Sequence, residues 1–164
     1  MLLIDAGLAF NSPYPLVLHP SRKVDVILSF DFSHRGKDTN WPFKQLEKAS
    51  KWAEEEEIPF PVIKKQLEEI KEKCFEKGDY EEVYVFPGEN GAPSIVHFVM
   101  INKTYGHSGI KGTSLFKILP KYPTYKFHYS TEEFTDLLKL MFRNVMANND
   151  KIIDCIESAI LKKK

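Results

Sequence analysis

Two apolar runs constrain this chain more than anything else in it: "VDVILSFDF" at 24–32 and "SIVHFVMIN" at 94–102. Neither approaches the ~20 apolar residues of a membrane-spanning helix. In the first, Val24, Val26, Leu28 and Phe30 alternate with residues that are themselves mostly apolar, which predicts a strand buried on both faces. The second is apolar on both faces except for His97, which predicts a central strand. His97 then reads as a core histidine with one nitrogen satisfied.

The segments around these runs alternate between helical periods and turns. Pro13, Pro15 and Pro20 make 11–20 a loop or a short, proline-started helical piece. A helix is expected after Pro42, with Phe43, Leu46, Ala49 and Ala53 on one face, Trp52 on its flank, and "IPFP" at 58–61 ending it. A second helical period over 62–77 carries Ile63, Leu67, Ile70 and Cys74, and Gly78 stops it. Val83–Phe86 and the second apolar run read as antiparallel strands joined by "PGENGAP". Residues 103–123 show no periodicity, and "YKFHY" at 125–129 reads as a short strand. Ser130 with Glu133 forms a capping box for a helix whose stripe is Phe134, Leu137, Leu138, Met141 and Val145. A last helix from Asn149 points Ile152, Ile153, Ile156 and Ile160 inward. With Leu2–Ile4 as the end of a buried strand, the order is strand, strand, helix, helix, hairpin and two helices. The fold class is α/β, a mixed sheet with flanking helices, without the strand–helix alternation of a complete doubly wound sheet.

Composition removes several function classes. Lys plus Arg number 23 and Asp plus Glu 23, so the electrostatic footprint of a nucleic-acid binder is missing. A chain of 164 residues is one domain by length. The two cysteines, Cys74 and Cys155, fall on helical patterns far apart, which points to a reduced, intracellular compartment. No signal-peptide pattern precedes Asp5. His19, His34, His97, His107 and His128 show no metal-ligand spacing. The terminal Lys162–Lys164 reads as a solvated helix end that complements the helix dipole.

Two short stretches could carry chemistry. Asp5 stands at the tip of the Leu2–Ile4 strand, and Gly7 lets the backbone turn away behind it. A carboxylate so placed can take a proton from a serine, although Asp-x-Gly after a strand is also an ordinary turn. "YGHSG" offers Ser108 between glycines, yet no helical period follows to supply an oxyanion hole.

From Asp5 onward, "DAGLAFNSPYPLVLHPSRKVDVILSFDFS" (5–33) closely resembles the catalytic domain of the cytosolic (group IV) phospholipases A2. "IPFPVI" and "PSIVHFVMIN" look like the same family in the same order. The resemblance implies a patatin/cytosolic phospholipase A2-like fold, of which 1–164 would be the C-terminal part, and a serine–aspartate dyad whose aspartate is Asp5. The serine of a G-x-S-G-S elbow, the glycine-rich oxyanion loop and a phosphate-binding arginine would lie upstream, and Ser108 cannot be aligned with that elbow. The implied activity is phospholipase A2-type hydrolysis of fatty acyl esters of glycerophospholipids at a membrane surface. This chain would supply the aspartate half and be inactive alone. The resemblance further implies a cytoplasmic, peripherally membrane-associated protein with no cofactor in this chain. The partner would be the missing catalytic half or a full-length relative. The alternative is a non-catalytic module that binds lipid or such a relative, since the Val24–Phe30 strand lacks obvious partners within the chain.

Overall fold

The computed structural model describes residues 10–31, 41–76, 81–99 and 126–163, with backbone alone at 74–76. The elements are α1 (Tyr14–Val17), a 3-10 turn (Pro20–Arg22), β1 (Val26–Asp31), α2 (Lys44–Glu55), α3 (Lys64–Ile70), β2 (Val83–Phe86), β3 (Ser94–Val99), α4 (Thr131–Ala147) and α5 (Asn149–Leu161). A π-helical stretch, Lys71–Glu76, continues α3. The expectations for Leu2–Ile4, Gly78 and 103–123 lie outside the described residues.

The sheet is mixed, in the order β1-β3-β2. β3 is central, as its composition predicts, and all six of its residues are buried. It pairs parallel with β1, Ser29 opposite His97, and antiparallel with β2, Tyr84 opposite His97. One face packs on α1, α2 and α3. There Ile27, Ile95, Val99, Tyr84 and Phe86 meet Tyr14, Phe43, Leu46, Ala49, Ile63, Leu67 and Ile70. The α2 stripe is as predicted: Phe43, Leu46, Ala49 and Ala53 are all fully buried. Small Ala49 and Ala53 let the helix lie close to the strands. On the other face Val83, Val96 and Phe98 meet Ile152 and Cys155 of α5.

Several expectations are corrected. β1 does not bury both faces. Ile27, Ser29 and Asp31 point into the core, while Leu28 and Phe30 stand on the partly exposed side. β1 is an outer strand, and the cluster under α5 takes in only Val26 from it. Residues 126–130 form no strand and lead instead into the helix cap. The buried side of α4 is carried by Leu140 and Asn144, with Phe134 and Leu138 exposed. On α5 the buried row is Ile152 and Cys155, and Ile153, Ile156 and Ile160 stay outside. Both rows have helical spacing, so periodicity cannot choose between them. α3 begins at Lys64, two residues inside the predicted span.

The hairpin turn is type I′. Asn90 and Gly91 have φ of 52° and 84°, and the Ala92 N–H donates to the Glu89 carbonyl at 2.9 Å. The capping box at α4 forms as read. Ser130 Oγ accepts from the Glu133 N–H, and the Glu133 carboxylate accepts from the Ser130 N–H. The Lys126 ammonium bond to Glu133, then the Ser130 amide, holds that carboxyl below the ordinary range. A depressed carboxyl stabilises the fold above its unfolded pKa and loses that contribution as pH falls through its folded one. An NMR carboxyl titration is therefore expected to show Glu133 protonating at lower pH than the glutamates of α2, with α4's first turn loosening at that point.

Candidate functional site

Because β1 and β3 run parallel, their carboxyl ends, Asp31 and Val99, lie side by side at one end of the sheet. Ligands in α/β sheets gather outside such ends. Asp31 is buried there. Glu82, just before β2, is at the same end, and its carbonyl accepts the Val99 N–H at 3.1 Å. Its buried carboxylate accepts from Asn148 Nδ2 at 2.9 Å, and that amide also donates to the Asn144 carbonyl at 2.9 Å. Two buried carboxylates thus flank the end of the central strand.

Behind Asp31 lies a buried polar chain. The Tyr14 hydroxyl donates to Ser29 Oγ at 2.8 Å, and His97 Nδ1 is 3.0 Å from the same oxygen. The His97 ring lies 5.5 Å from that of Phe43 and is fully buried. Serine, histidine and tyrosine in contact resemble a nucleophile with its base. Here, however, Ser29 and Tyr14 are buried as well. The cavities of about 410, 440 and 550 Å³ are lined by other residues. No lipid ester reaches Ser29 in this arrangement, and the chain ties α1 to both parallel strands. His97 was legible in sequence as a core histidine bonded through one nitrogen. Its partners were not, the only signal for Ser29 being a hydroxyl inside an apolar strand.

Burial pushes the Tyr14 phenol up to about 12, the Ser29 bond opposing and Asp31 adding to the shift. A raised folded pKa means the stabilisation is whole below the unfolded value of 10.0 and is lost as pH climbs towards 12. An ultraviolet tyrosinate titration is expected to show Tyr14 ionising late. Urea unfolding should lose about 3 kcal/mol over that window, a loss absent in Tyr14→Phe.

The sequence-predicted base, Asp5, lies outside the described residues, as do Ser108, His107 and His34. His128 is exposed. His19 Nδ1 accepts from the Ser21 N–H at 3.3 Å, capping the 3-10 turn. The terminal lysines are more than a solvated end. Lys162 Nζ donates to the Gly88 carbonyl at 2.7 Å, and Lys163 Nζ sits 2.6 Å from Asp25 Oδ2. Among the described residues, no group of three metal-ligating side chains occurs and no helix is long and apolar enough to cross a membrane.

No family model matches the chain. It is 32% identical over 177 aligned residues to cytosolic phospholipase A2 zeta of Mus musculus, a match covering 99% of this chain and 19% of that protein. Human GIVD cytosolic phospholipase A2, solved with methyl gamma-linolenyl fluorophosphonate inhibitor and terbium chloride, superposes with a TM-score of 0.73. The identity is 24%, with 99% of this chain and 24% of that chain covered. A second structure of the human protein gives a TM-score of 0.75 at 22% identity, over 95% of this chain and 21% of that one. The structural likeness speaks for the fold. The chain spans about a fifth to a quarter of the length of the proteins it matches. In sequence over nearly all its length, and in fold, the chain is a relative of the cytosolic phospholipases A2.

Proposed function

We propose that this chain is the base-bearing part of a phospholipase A2-type hydrolase that cleaves fatty acyl esters of glycerophospholipids. The observation that carries the reading is the 32% identity across 99% of the chain to a cytosolic phospholipase A2. Asp5 takes the proton of a serine supplied by other polypeptide as that serine attacks the acyl carbon, and returns it to the departing lysophospholipid. Neither Ser29, which is buried, nor Ser108 replaces that serine. The chain alone lacks nucleophile and oxyanion hole, works from the cytoplasm at a membrane surface, and needs no cofactor of its own.

Two measurements test this. The purified chain is expected to release no fatty acid from phospholipid vesicles and to take no label from a serine-directed fluorophosphonate. Grafted in place of the matching residues of the mouse phospholipase, it is expected to restore hydrolysis. Asp5→Asn should then lower that hydrolysis by about 10⁴-fold, the loss typical of a triad or dyad partner, while Ser108→Ala changes nothing. An Asp5→Asn graft as active as its parent refutes the base.

The exposed Leu28 and the α4 stripe favour a second reading. In it the chain is a non-catalytic module that binds lipid or a full-length relative, and the graft stays inactive.

A further inference from the structure

One side of the described structure is more apolar than water-facing surfaces normally are. On α4, Phe134, Leu138, Phe142 and Met146 follow at four-residue spacing and are 56–63% exposed. They draw a stripe about 18 Å long. On α5, Ile153, Ile156 and Ile160 are exposed beside the row seated on the sheet. On β1, Leu28 is 43% exposed, and Phe30 offers the ring face turned away from its stack on Phe98. β1 is also an outer strand, with β3 on one edge and, among the described residues, no strand on the other. Parallel strands are ordinarily covered on both faces.

We propose that this side is the seat for the rest of a cytosolic phospholipase-type chain. That polypeptide adds a strand along the outer edge of β1 and lays an apolar surface over the α4 and α5 stripes. The proposal rests on the family reading above and names the partner it requires. Length argues for this occupant. The human protein superposes on 99% of this chain yet has only 24% of its own length in the match, so three-quarters of it packs elsewhere in that structure. Lipid fits less well. The stripe is bordered by acids, Glu132, Asp136, Asp154 and Glu157, as well as by Lys139 and Arg143, unlike the basic border of helices that lie on anionic membranes. Hydrocarbon also cannot satisfy the amides and carbonyls of a strand edge.

The test is thiol accessibility. In a Cys74→Ser, Cys155→Ala background, Leu28→Cys and Phe142→Cys are labelled with a maleimide, with Glu69→Cys on the exposed side of α3 as control. Rates are compared for the chain alone and for the chain grafted into the mouse phospholipase. Labelling at 28 and 142 is expected to fall at least tenfold in the graft and to hold steady at 69. Equal rates overturn the proposal. So does protection already present in the chain alone with a doubled mass by light scattering, which assigns the face to a second copy. Protection that arises only on adding phosphatidylserine vesicles assigns it to lipid and equally overturns it. Activity is scored separately. A protected but inactive graft sinks the enzymatic reading alone, and an active graft with both positions labelled sinks the seat alone. Should the graft misfold, co-expression with the separately encoded remainder decides. Capture that Leu28→Glu with Phe142→Glu abolishes supports the proposal, and no capture refutes it.

Discussion

Phe43→Ala is expected to destabilise the chain by about 3–5 kcal/mol, enough to leave much of a marginally stable domain unfolded. The ring is fully buried where α2 meets the sheet. Its neighbours surround it: Trp41 and Tyr84 each at 4.9 Å between ring centres, His97 at 5.5 Å and Phe86 at 6.1 Å. The Trp41, Tyr84 and Phe86 contacts are edge-on, the favoured geometry for aromatic pairs. Tyr84, Phe86 and His97 are fixed to paired strands, so the walls of the cavity cannot close in. Phe43→Leu, which keeps most of the volume, should cost about 1–2 kcal/mol. Urea midpoints at unchanged slope measure both. A loss under 1 kcal/mol for the alanine variant would mean the core is centred elsewhere.

Gly88→Val is the second large effect, expected at about 3 kcal/mol or more through backbone overlap. A Cβ at Gly88 would lie 2.6 Å from the Pro93 carbonyl oxygen, and closer still to the Ala92 oxygen and the Pro93 carbonyl carbon. All three are main-chain atoms and cannot swing aside. Moving them strains the Gly88 N–H bond to Ser94 Oγ and the Lys162 bond to the Gly88 carbonyl. Gly91→Ala, in the same turn, is the control. Its φ of 84° is unfavourable for alanine, but the nearest atom to a new Cβ is Pro59 Cγ at 4.0 Å. It should lose about 1–2 kcal/mol. Thermal melts of the pair separate steric overlap from backbone strain, and equal losses would refute the close approach at Gly88.

Local patterns revealed what local patterns control. The α2 stripe, the all-buried β3, the hairpin and the Ser130–Glu133 box could all be read because each depends on residues a few positions apart. The phase of α5 could not, since Ile152 with Cys155 and Ile153 with Ile156 are equally helical rows. The orientation of the sheet decides between them. The exposure of Leu28 on β1 depends on which strand is outermost, a property of topology. The Tyr14–Ser29–His97 chain joins residues 15 and 68 positions apart and leaves no spacing to recognise. The terminal lysines looked free because Asp25, 138 positions before Lys163, is invisible from the helix end. Asp5 drew notice as a possible turn and gained a role only through the resemblance of the thirty residues that follow it.

The parallel pairing of β1 with β3 sets a timetable for biosynthesis. A ribosome must release everything up to Val99 before Val26–Asp31 meets its neighbour, and β2 must already be in hand to complete the sheet. Until then the nascent first strand, with Leu28 and Phe30 among its residues, has only helices to lean on. Such late closure makes the emerging polypeptide a client for holding chaperones.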